Sequence, residues 1–254
     1  MEKLNFKIIL TELQNSISKE TLRCNNDIIQ LLIANINSIY GLLSIFDGKI
    51  PEIFPIRSAD RAQKFMILIH SFSAFQFSSS IFDLLLNGQY PEAAALTRSL
   101  IETVAFAEYD KSNPDIAHDS LLDTRNLPKR KTIFRFLAKN GNWPNGGPER
   151  AFERYNYAAH GNIAAVTSHW MKSSGTPQIT EIWLRKYNPT SFFEISRDQM
   201  IPLLGIQEIF RKVFIKEDET INNFSWHNYW VLGHNRDLIM RLFPEIIIPE
   251  NATL

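Results

Sequence analysis

Two charged residues stand inside a helix that is otherwise apolar. The segment PEAAALTRSLIETVAFAEY, residues 91–109, carries Ala93, Leu96, Leu100, Val104 and Ala107 on one side. Its other side carries Ala94, Ala95, Ile101 and Ala105, and with them Arg98 and Glu102. A helix apolar all round is a buried helix, so both charges are expected to be at least half buried. Four residues apart, they lie one turn from each other and can form an ion pair. A buried charge is costly unless it is paired and hydrogen-bonded. Either the pair fixes helix packing, or it marks a polar ligand site in which Arg98 holds an anion or orients a carboxylate.

A second constellation lies in AFERYNYAAHGN, residues 151–162. Asn156, Tyr157 and His160 share a helix face, at separations of three and four residues. An imidazole beside a phenol and an amide can donate or accept a proton near neutral pH. Arg154 precedes His160 by six residues, about 600° of helical rotation, which leaves the two side chains about 120° apart on a regular helix. They converge only at a loosened turn or across two chains.

The R-x5-H spacing of Arg154 and His160 resembles the signature of the HEPN superfamily, helical-bundle proteins that include metal-independent ribonucleases. The resemblance implies an RNA substrate, a homodimer whose two chains bring their Arg and His together, and no metal or cofactor. Arg154 would then stabilise charge developing on the phosphorane, and His160 would act as general acid or base, with Asn156 and Tyr157 beside it. A prokaryotic defence or stress system is the setting this implies. Tyr155 departs from the small polar residue that the superfamily favours after the Arg.

A broader likeness covers about the central third of the chain. GQYPEAAALTRSLIETVAFAEY (88–109) and the later RYNYAAHGN (154–162) are similar to a family of uncharacterised bacterial helical proteins. Its recurring features are a G-x-x-x-E-A…R-x-x-x-E helix and an aromatic-rich helix ending in His-Gly. That likeness implies that Arg98, Glu102 and His160 belong to one site. The second functional reading follows from it: a non-catalytic helical module that binds a protein partner or a small anion there.

Other chemistry-bearing residues have plainer readings. His227, Trp230 and His234 share a face, but the two histidines are about 10 Å apart along a helix, too far to share a metal. His70 reads as a satisfied core histidine. Asp115, His118 and Asp119 could bind a metal weakly, with a capped surface helix as their plainer reading. The basic run Arg125, Lys129, Arg130, Lys131 and Arg135 is the best candidate for a local basic patch, with a solvated helix face as its plainer reading. There is no glycine-rich phosphate loop, no H-E-x-x-H and no G-x-S-x-G.

The elements that must position these residues are helices. Lys+Arg and Asp+Glu number 27 each, so the chain lacks the basic excess of a dedicated DNA-binding domain. The single Cys24 excludes an internal disulfide. Residues 1–10 lack a basic leader, so a cytoplasmic protein is expected. Residues 28–46 and 65–86 are long enough to span a bilayer. Their Asn35, Asn37, His70, Gln76 and Asp83 favour core helices and no membrane. The 18 Phe predict an aromatic core.

Helical periodicity predicts a first long helix from Ser18 to about Phe46 and a second from Ser58 or Asp60 to Asn87-Gly88. Pro91 opens a third, which halts before Pro114, and short helices follow from Pro114 and from Pro128 to Lys139. NGNWPNGG (140–147) is a loop, and Pro148 starts a helix to about His160. Residues 161–190 read as an irregular, lid-like segment. Helical spacing returns from about Ser196 to Phe214, and again from Asn222 to Phe243. The expectation is an all-α, single-domain bundle of seven to nine helices over residues 1–254.

Overall fold

The structure, a computed structural model, describes residues 17–46, 56–123, 125, 127–140, 152, 153, 155, 188–214 and 221. Among the described residues, besides the helical residues 17–24, the helices are α1 (Asn26–Ser44), α2 (Ala59–Leu86), α3 (Tyr90–Ser112), α4 (Pro114–Leu122), α5 (Arg130–Asn140) and α6 (Pro189–Phe214). Among the described residues there is no strand, so the class is all-α.

Local chemistry sets the ends of the central hairpin. Ser58 caps α2 by accepting from Arg61 N at 3.3 Å. At the other end Gly88 takes φ 67°, a left-handed turn that glycine adopts without a Cβ clash. Gly88 N donates to Leu85 O and Gln89 N to Leu84 O, which satisfies two free carbonyls of α2 and reverses the chain. Pro91 then sits in the first turn of α3. The two helices run antiparallel, and Gln63 near the start of α2 donates to Asp110 O and Lys111 O near the end of α3.

The third long helix, α6, packs on both. It runs parallel to α3: Tyr90 Oη accepts from Asn188 N at one end, and an added Cβ on Gly205 would meet Val104 Cγ1 at 3.3 Å further along. Mid-helix, Gln199 Nε2 donates to Ser78 O of α2. α1 closes the other side of α6, where Gln207 Nε2 donates to Asn35 Oδ1. The shared core is built from Ile29, Leu32 and Ile39 of α1, Ile67, Ile81 and Leu85 of α2, Leu100 of α3, and Phe192, Phe210 and Phe214 of α6. Its aromatic part is the cluster of Phe46, Phe210 and Phe214, with ring centroids 4.5–5.5 Å apart.

Three boundaries differ from expectation, the smallest being that α5 opens at Arg130 rather than at Pro128. The first helix is not continuous: residues 17–24 are helical, Asn25 is not, and α1 begins at Asn26. Asn25 Nδ2 donates to Thr21 O, a side-chain bond that competes with regular helix continuation. α6 begins at Pro189, seven residues before the expected Ser196, so residues 189 and 190 are helix rather than lid. Asn188 Oδ1 accepts from Ser191 N at 3.0 Å, and Pro189 opens the helix, a cap-and-proline start. Residues 161–187 and 222–243, with their predicted lid and last helix, lie outside the described residues.

Candidate functional site

Arg98 lies at the edge of the core, where α3 turns its buried Thr97, Leu100 and Ile101 inward. Its guanidinium lies over the ring of Phe152, 4.4 Å from the centroid. Arg130, the first residue of α5, lies over the same ring at 4.5 Å. Phe152 is buried and also packs against Phe134 of α5, centroid to centroid 5.5 Å. One aromatic ring thus gathers two cations from different helices, with an attraction of about 0.5–2 kcal/mol for each.

Glu102 does not serve Arg98. Its Oε1 accepts from Arg130 Nε at 2.6 Å, so the carboxylate one turn along α3 is taken by α5. The i,i+4 pair expected within α3 gives way to a tertiary partner. Arg130 is 44% exposed on its side chain, and a pair so open to water contributes under about 1 kcal/mol. Arg98 is left with its Nε buried and without a hydrogen-bond partner. Such a donor costs about 1–3 kcal/mol, and more when it carries charge. Native proteins keep few buried polar groups in this state, and each asks for a reason.

The residues bracketing Arg154 in sequence are firmly held. Phe152 sits under the two guanidiniums, and Tyr155 is buried with its Oη donating to Asp198 Oδ2 of α6 at 2.8 Å. Arg197 Nε donates to the other oxygen, Asp198 Oδ1, at 3.1 Å. Tyr155, the departure from the ribonuclease-like signature, is therefore the anchor of this segment on α6. Arg154, Asn156, Tyr157 and His160 lie outside the described residues.

Sequence reasoning found Arg98 and Glu102 and missed Phe152, Arg130 and Asp198. Asp198 lies in the polar stretch SRDQ, residues 196–199, and did not stand out as a charge in an apolar run. Phe152 and Arg130 gave no such signal either, because their role depends on which helices meet.

A second polar cluster joins α2 to α3. His70 Nε2 and Asp110 Oδ2 are 2.9 Å apart, with the carboxylate almost wholly buried. Lys111 Nζ pairs with buried Glu108 beside them. His70 is thus the satisfied histidine that its apolar surroundings predicted. Asp115, His118 and Asp119 of α4 form no three-ligand metal cluster among the described residues.

Comparison with known proteins yields one family. A family described as "Family of unknown function (DUF5677)" matches residues 64–211, more than half of the chain. The span runs from within α2 to within α6 and contains Arg98, Glu102, Arg130, Phe152, Tyr155 and Asp198. It also contains both segments, 88–109 and 154–162, that carry the likeness to uncharacterised helical proteins. No curated protein and no solved structure matches the chain.

Proposed function

We propose that this chain, which belongs to the DUF5677 family of unknown function, is a helical anion-binding module whose receptor is Arg98. The observation that carries the reading is the buried Arg98 Nε with no acceptor, on a guanidinium already oriented by Phe152. A guanidinium stacked on a ring keeps its N–H edge for an oxyanion, and its planar fork suits a phosphate or a carboxylate. Arg130 adds positive potential at the same ring, while Glu102 balances only Arg130. An oxyanion at Arg98 would complete the charge balance. The protein works in the cytoplasm, with α1 and α2 as core helices.

Calorimetric titration of inorganic phosphate, and separately of acetate, into wild type and Arg98→Met tests this. The expected result is saturable binding of at least one anion by wild type, weakened tenfold or more by Arg98→Met. Equal binding by both, or no binding by folded wild type, would sink the reading.

A second reading adds chemistry to the same place: a HEPN-like, metal-independent ribonuclease working as a homodimer, with Arg154 and His160 as catalytic residues and Asn156 and Tyr157 beside them. What favours it is the anchoring of the residues around Arg154. Phe152 is fixed under Arg98, and Tyr155 is fixed to Asp198. An RNA phosphate is then the anion that Arg98 holds. Cleavage of a mixed RNA pool in EDTA by wild type, lost in both Arg154→Ala and His160→Ala, is the expected result. Intact RNA after incubation with wild type leaves the binding module alone standing.

A further inference from the structure

The exposed side of α5 carries cations in a row. Lys131, Arg135 and Lys139 are exposed and spaced four residues apart, about 6 Å per step along the helix axis. Lys129, also exposed, immediately precedes the helix. The opposite face buries Ile133, Phe134 and Leu137 in the core, so the row is fixed outward by packing.

Several helical cations elsewhere are balanced locally. Lys64 pairs with Asp60, Lys111 with Glu108, and Arg211 and Lys212 with Glu208, each within one turn. α5 departs from that practice. Residues 124–148 contain six basic and no acidic residues, in a chain whose total charge is zero. Arg125 pairs with Asp123 and Arg130 with Glu102. Among the described residues no carboxylate pairs with Lys129, Lys131, Arg135 or Lys139. Like charges one turn apart weaken a helix. Cations in the first turn also oppose the helix dipole, and α5 has no acid there. The arrangement costs stability in the free protein, and an anionic partner would offset it.

We infer that this face of α5 is a docking surface for the phosphodiester backbone of a nucleic acid strand. The row is straight, evenly pitched and of one sign, which suits a chain of repeating negative charges. Backbone contacts by Lys and Arg supply affinity without base recognition. Thr132 and Ala138 are the other exposed positions between Lys131 and Lys139, so the row offers none of the apolar anchors that protein and membrane partners use. The inference stands apart from the Arg98 reading, since none of the four cations touches that site.

The test is fluorescence anisotropy of labelled single-stranded RNA and single-stranded DNA of one length, titrated with the full chain over a range of salt. Wild type should bind both strands, with log K falling against log salt by about 0.7 per phosphate engaged, a slope of roughly −2 to −3 for three to four contacts. The triple variant Lys131→Glu, Arg135→Glu, Lys139→Glu changes only exposed positions and should lose tenfold or more. The milder triple Gln variant should lose less and flatten the salt slope. Lys19→Glu, at an exposed cation outside α5, should bind strands like wild type, which assigns the loss to the row rather than to total charge. Strand binding unchanged in both triple variants would overturn the inference. So would displacement of RNA by a poly-glutamate peptide as readily as by an unlabelled strand of equal charge, which would make the surface one for acidic proteins.

Discussion

Arg98 holds a buried Nε donor without an acceptor, so removing the side chain also removes a cost. Arg98→Met loses a cation–π contact of about 0.5–2 kcal/mol and sheds the unsatisfied donor. Its unfolding free energy in urea should therefore stay within about 1 kcal/mol of wild type. An arginine that paired a buried carboxylate would cost about 3–5 kcal/mol to remove, and a loss of that size would return Arg98 to a purely structural role. At this scale the sequence was half legible. Arg98 and Glu102 stood out as charges in an apolar helix. Their partners did not, because Phe152 and Arg130 come from elements brought together only by folding.

Several helix ends were legible from a local rule. Ser58, Gly88, Pro91 and Pro114 marked boundaries that the structure keeps. The start of α6 was missed although Asn188-Pro189 is a cap-and-proline signal, because the preceding ITEIWLRKY has no helical period to announce a helix. Asn188→Ala should cost about 1 kcal/mol in chemical unfolding, and an unchanged midpoint would show that the cap contributes nothing. α6 also holds a pH-sensitive group near its C-terminal end. Burial pushes the Glu208 carboxyl up, but the hydrogen bond and charge of Arg211, helped by Lys212, bring it below its ordinary 4.5. A lowered carboxyl stabilises the fold above its ordinary value, and that stability fades as pH falls through the folded value. Glu208→Gln should thus be less stable than wild type at pH 7 by roughly 0.5 kcal/mol, with the difference vanishing in acid. A difference that persists in acid would assign the effect to packing instead.

For the molecule as a whole, periodicity alone gave the all-α class, since apolar residues recur at helical spacing along nearly the entire chain. It could not give the arrangement. Periodicity says which face of a helix is buried but not against what. The parallel course of α3 and α6 rests on contacts such as Tyr90 with Asn188, far apart in sequence. That arrangement matters to function, because α3, α5 and α6 together hold Phe152 and Tyr155 beside Arg98 and Asp198. A ligand at such a junction ties elements from three parts of the chain and should stabilise the fold as a unit. The most direct measurement is thermal unfolding of wild type and Arg98→Met in increasing phosphate, with ionic strength held constant by chloride. At ten times its Kd a bound anion contributes about 1.4 kcal/mol, which for a chain of this size is a rise in Tm of roughly 3–6 °C. The account predicts that rise in wild type and its loss in Arg98→Met. A wild-type Tm that ignores phosphate and, in a parallel titration, acetate, or a Tm that rises equally in the variant, would contradict an anion receptor at Arg98.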